Sequence, residues 1–158
     1  MLLRITKNNG KPHIILYRRD DGTETWMYAD DFFVRHDLSH YCLEKLLGYT
    51  TAFMGMLNQG MDVKDFEDRT KRKKITVTRE ALYAENMANL FLIEIAQGNF
   101  ENFNQTAKES FESLNNEYPA PVLLENEIDI IRGSLRTLLR SWNALDPGKT
   151  MDLPYEVK

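Results

Sequence analysis

Between residues 3 and 29 apolar and polar side chains alternate in short runs, and from residue 32 onward the apolar repeat lengthens to three and four positions. The first regime has the two-residue period of half-buried strands, the second the period of amphipathic helices. Runs at 3–7 and 13–18 flank Asn8-Asn9-Gly10, residues suited to the left-handed positions of a hairpin turn. Asp20-Asp21-Gly22 repeats that turn chemistry before a third run at 24–29, so the expectation is a three-stranded antiparallel meander.

The helical part divides at its glycines and prolines. One helix runs from about Phe32 to Leu47 and stops at Gly48, and a second covers 51–58 and stops at Gly60. Thr78 caps a third that reaches Gln97 before Gly98, and Asn99 or Asn102 starts a fourth that runs to about Glu117, ahead of Pro119 and Pro121. A fifth, over 122–142, carries Leu123, Leu124, Ile128, Ile131, Leu135, Leu138 and Leu139 on one side. After Asp146-Pro147-Gly148 the tail 151–157 alternates weakly and suits an edge strand, where Pro154 is tolerated. The expected class is α+β: a small antiparallel sheet of three N-terminal strands with a C-terminal edge strand, packed against four to five helices. The 158 residues read as one domain, with a β meander at 1–30, a helical region at 31–145 and a tail at 146–158.

Composition narrows the classes of function. Apolar residues at 42% and charged residues at 28% are ordinary globular usage. A lone cysteine, Cys42, allows no internal disulfide and reads as a small core residue; the start lacks a leader-like apolar run, so the expectation is a soluble cytoplasmic protein with no membrane span. A net charge of −4 disfavours nucleic acid as a partner. Lys71-Arg72-Lys73-Lys74 runs against that average and reads as a solvated loop before it reads as an anion patch. There is no GxGxxG, phosphate-binding glycine loop or GxSxG elbow. His13 reads as a strand-edge histidine. The aromatic set Trp26, Tyr28, Phe32 and Phe33 is expected in the core rather than lining a ligand pocket.

The candidate chemistry is concentrated in HDLSHYCLE. His36, His40 and Glu44 fall one helical turn apart and share a stripe about 80° wide. Imidazole nitrogens and a carboxylate are donors that zinc, iron or manganese accept. Asp37 follows the first histidine where a zinc-protease motif has glutamate, so it is a candidate supporting partner rather than a catalytic base; as a helix cap it would displace His36 from the stripe. A single helix supplies three ligands only with strain, and Glu85 is the external candidate, with a surface glutamate as its blander reading. The bland account of the whole cluster is a buried hydrogen-bonded network that fixes helix register.

The segment from Phe33 through HDLSHYCLE, followed by the glycine-flanked GYTTAFMGMLNQG, resembles a group of small uncharacterised bacterial proteins. These share an N-terminal hairpin, an H-D-L-x-H-[YF]-x-x-E segment and a helical remainder. The resemblance covers about the first 60 residues and implies a fold, not an activity. The leading expectation is therefore a non-enzymatic binding or interaction protein with a protein or small-molecule partner, homo-oligomerisation being open. The alternative is a divalent-metal enzyme, hydrolytic in kind, using His36, His40 and Glu44; no catalytic residue beyond the metal ligands is assigned.

Overall fold

The computed structural model describes residues 1–157. Strands β1 (Leu2–Thr6), β2 (His13–Arg18) and β3 (Glu24–Ala29) form the antiparallel meander. After the helices, β4 (Thr150–Pro154) returns antiparallel to β1, giving the order β3-β2-β1-β4. Register places Leu3 opposite Tyr17 and Leu153, and Ile5 opposite Ile15 and Met151, so one face of the sheet is a continuous apolar surface. Pro154 closes the edge strand, where its missing N–H costs no ladder bond.

Five anticipated helices are present: α1 (Asp31–Leu47), α2 (Phe53–Asn58), α5 (Arg79–Gln97), α6 (Phe103–Glu112) and α7 (Glu125–Ala144). The short helices α3 (Val63–Glu67) and α4 (Arg69–Arg72) were not anticipated and make seven among the described residues. They are too brief to show a helical period. Each has an aspartate at its start: Asp62 exchanges hydrogen bonds with Asp65, and Asp68 accepts from the backbone N–H groups of Thr70 and Lys71. Lys71 and Arg72 of the basic run are thus helical and exposed, with Lys73 as the cap of α4.

The long helices begin and end where side chains replace missing backbone partners. Asp30 accepts from Phe33 N–H to start α1, Thr78 from Ala81 N–H to start α5, and Asn102 from Gln105 N–H to start α6. Gly48, at φ 70°, ends α1 in the left-handed conformation that glycine adopts without a Cβ penalty. The fourth helix ends at Glu112 rather than near Glu117, and the fifth begins at Glu125 rather than residue 122, leaving an extended connection through Pro119 and Pro121.

Helix α1 is the centre of the packing, touching α2, α5 and α7 as well as β2 and β3. Its Leu38 and Leu43 are fully buried, each stabilising by roughly 2 kcal/mol relative to exposure. Helix burial on several sides explains why four polar side chains of α1, Asp37, Ser39, His40 and Glu44, are also buried. No helix is long and apolar enough to cross a membrane.

The aromatic set departs from expectation. Trp26 and Tyr28 alternate with Thr25, Met27 and Ala29, and it is this second series that faces the helices. Trp26 (48% exposed) and Tyr28 (63%) lie on the open face of the sheet, edge to face with each other, and Phe32 and Phe33 are exposed on the first turn of α1. Alternation fixes that the two series of β3 lie on opposite faces; which face is covered depends on where α1 and α3 pack.

Candidate metal centre

Asp30, not Asp37, caps α1, so His36 lies inside regular helix and the stripe keeps its first member. His36 and His40 project from successive turns with ring centroids 4.6 Å apart. Helix α5 packs alongside and brings Glu85 to both: Glu85 Oε1 is 3.3 Å from His36 Nε2, and Oε2 is 3.0 Å from His40 Nε2. One donor atom from each of His36, His40 and Glu85 lies within 4.8 Å of the other two. Ligands bound at about 2.1 Å to a common ion sit roughly 3–3.5 Å apart, a range in which the two Glu85–histidine separations already fall.

Glu44 stands on the other side of His40. Its Oε1 is 2.9 Å from His40 Nδ1 and its Oε2 accepts from the backbone N–H of Met54 at 2.8 Å, at the start of α2. Glu44 is fully buried and is held away from the point on which the two Nε2 atoms converge. Asp37 plays a looser version of this part for His36, with Oδ1 3.7 Å from Nδ1, while its other oxygen accepts a short hydrogen bond from Tyr17 OH. Each imidazole therefore has an acid beside Nδ1 and shares Glu85 at Nε2. A carboxylate behind the imidazole is the arrangement that fixes tautomer and ring orientation at metal-bound histidines.

The electrostatics follow from this crowding. Burial works against charge on His40, but hydrogen bonds to Glu44 and Glu85 outweigh it and raise its pKa to about 10. Burial likewise opposes charge on His36, and Asp37 and Glu85 more than compensate, raising it as well. Hydrogen bonds from the two histidines hold Glu85 well below the usual carboxylate range. Burial pushes Glu44 up, against the pull of His40 and of two backbone N–H groups.

The cluster opens into a cavity of about 380 Å³ whose walls are mostly apolar, with Phe33 from α1, Phe53 and Met56 from α2, and Phe66 from α3. That volume is at the low end of the ~300–1,000 Å³ typical of small-molecule sites. Phe33, expected in the core, instead helps to form this wall. Arg72 of α4 and Glu67 of α3 are the charged groups lining it beyond the histidine cluster and Asp37.

The structure brings together His36, His40, Glu44, Glu85 and Asp37, all singled out in the sequence. Glu44, expected beside the histidines as a third ligand, instead sits on Nδ1 of His40, and Glu85 takes the place expected for it. Tyr17 and the cavity wall were not anticipated. Tyr17 was findable, since it alternates with Ile15 on the inward face of β2. The wall was not, because α2, α3 and α4 are too short to show a face. Cys42 is buried, and burial pushes its thiol up to about 12, as suits a core residue rather than a nucleophile. His13 accepts from Asn8 N–H through Nδ1 and packs edge-on against Trp142, remote from the cluster. A scan against protein-family models, a search of curated proteins and a search of solved structures each return no match to this chain.

Proposed function

We propose that this chain binds a divalent metal ion through His36 Nε2, His40 Nε2 and the Glu85 carboxylate, and that it acts as a metal-dependent hydrolase on a small molecule held in the adjoining cavity. The observation that carries this reading is directional: both Nε2 atoms converge on Glu85, while Glu44 and Asp37 stand beside the two Nδ1 atoms. Two nitrogens and a carboxylate suit zinc, iron or manganese, and three protein ligands leave a coordination position for water. Bound there, the ion would supply a water acidified to near neutral pH as the attacking group. The chain's own residues orient that site: once the Nε2 proton leaves, Glu44 at Nδ1 would hold His40 in the tautomer with its lone pair on Nε2, and Tyr17 holds Asp37 beside His36. A reduced Cys42 and residence in the cytoplasm belong to the same proposal.

A second reading, a non-enzymatic binding protein whose cluster is architectural, is favoured by one observation. Among the described residues no buried side-chain nitrogen or oxygen lacks a hydrogen-bond partner, so the cluster is satisfied without an ion. Elemental analysis of tag-free protein, purified without chelator or a nickel column, separates the two. The metal reading expects near-stoichiometric zinc, iron or manganese, lost in His40→Ala and in Glu85→Ala. The second variant guards against misfolding, because the Glu85 side chain is 57% exposed and its removal leaves no buried void. Metal far below stoichiometry, with no rise in melting temperature on adding divalent ions, would establish the architectural reading instead.

A further inference from the structure

Arg72 and Glu67 are the charged groups of the cavity that no side-chain hydrogen bond or ion pair holds among the described residues. The other acids that precede Arg72 along the chain are engaged elsewhere: Asp62 with Arg19 at 2.7 Å, Asp65 with Lys71 at 3.1 Å, and Asp68 with the backbone N–H groups that open α4. Glu67 shares the cavity wall, yet no ion pair joins it to Arg72 among the described residues. At the histidine cluster the acids are all occupied: Glu85 by His36 and His40, Glu44 by His40 and Met54 N–H, and Asp37 by Tyr17. At the histidine end a cationic ligand would therefore compete for acceptors already in use. At the other end one guanidinium, Arg72, and one carboxylate, Glu67, face the cavity without a partner among the described residues, and the basic run that holds Arg72 tips that end toward an anion. Lys73 and Lys74 follow Arg72 directly and add to the positive potential there.

We infer that the cavity takes a small amphipathic carboxylate, an acyl or aryl acid derivative, with its apolar body among Phe33, Phe53, Met56 and Phe66 and its carboxylate on Arg72. The inference rests on the metal reading above for what happens to such a molecule, since the rest of it lies in the cavity to which His36, His40 and Glu85 contribute. Recognition itself needs only the apolar wall and the guanidinium, whose planar fork matches a carboxylate.

Three probes with one apolar body and different head groups test it: octanoate, 1-octanol and octylamine, titrated calorimetrically into metal-free protein. Octanoate should bind about tenfold tighter than 1-octanol, the effect of one charge-assisted hydrogen-bonded pair. Arg72→Gln should abolish that advantage and leave 1-octanol unchanged, while Glu67→Gln should preserve it. Arg72 is exposed on a four-residue helix, so its variant keeps the fold, as circular dichroism will verify. Octylamine binding tightest, octanoate binding equally to Arg72→Gln and the wild type, or no binding of octanoate would each overturn the inference. Zinc titration of the same proteins without a probe reports on the metal site alone. Absent zinc binding with an intact octanoate preference would remove the hydrolase and keep the recognition, and the converse would do the reverse.

Discussion

Glu44→Gln is the sharpest perturbation of the centre, because it changes one charge and almost no volume. The glutamine oxygen can still accept from Met54 N–H, which Glu44 does at 2.8 Å. Its NH2 group must then face His40 Nδ1, now 2.9 Å from a carboxylate oxygen, so Nδ1 becomes an acceptor and the neutral ring keeps its one proton on Nε2, where the wild-type ring on losing a proton keeps it on Nδ1 facing Glu44. That proton occupies the lone pair a metal needs. Zinc affinity should fall about 10- to 100-fold, the usual consequence of losing the carboxylate behind a ligating histidine. The metal-free protein should lose about 1 kcal/mol, because one charge-assisted hydrogen bond becomes a neutral one.

The pH dependence adds a second readout. In the metal-free wild type His40 has its pKa raised from 6.5 to about 10, so its stabilising contribution is complete below pH 6.5 and is lost as pH rises through 10. Metal binding runs the other way over the same window, strengthening with pH because the Nε2 proton must leave. Urea denaturation of chelator-treated protein between pH 6.5 and 10, together with competitive zinc titration, measures both. Wild type should show the opposed slopes, and Glu44→Gln should flatten the first. Unchanged zinc affinity and an unchanged stability slope in Glu44→Gln would refute the assignment of Glu44 as the group that orients His40.

Three further outcomes follow from the packing. Gly55→Ala places a Cβ 2.0 Å from the Thr50 carbonyl oxygen, a backbone atom that cannot swing aside, so the variant should lose about 3 kcal/mol or more in urea denaturation; a loss below 1 kcal/mol would contradict that close approach. Arg132→Met leaves Glu94 buried without the guanidinium that holds its two oxygens at 2.9 and 2.6 Å, and should cost about 3–5 kcal/mol; the double variant with Glu94→Gln should recover part of it, and no recovery would argue against an uncompensated charge. Cys42 keeps its proton to about pH 12 in the fold, against 9.0 for an ordinary thiol, so stability should decline as pH rises above 9, where only the unfolded chain ionises. That part of the decline should vanish in Cys42→Ala, and native wild type should resist thiol reagents at pH 8; rapid labelling would show the thiol to be accessible.

The elements most legible in the sequence were those whose signal is local. Asn8-Asn9-Gly10 and Asp20-Asp21-Gly22 set the two turns of the meander, and Thr78 with Gly98 bounded α5 to the residue, because caps and left-handed turns are chosen by side chains within a few positions. The one-turn spacing of His36, His40 and Glu44 was equally local, and α1 keeps it.

What spacing could not convey was direction and company. Glu44 is on the stripe yet faces Nδ1 of His40, while Glu85, some forty residues away, meets both Nε2 atoms because α5 packs on α1. Likewise β3 alternates as expected, but the packing of α1 and α3 against one face made Thr25, Met27 and Ala29 the inner series and left Trp26 and Tyr28 outside. Capping and periodicity depend on neighbours along the chain, so the sequence alone determined the strands, every helix but the two short ones α3 and α4, and the candidate histidines. Which atoms of those histidines share an acid, and which wall encloses the cavity, depend on contacts between distant segments, and only the tertiary structure decided them.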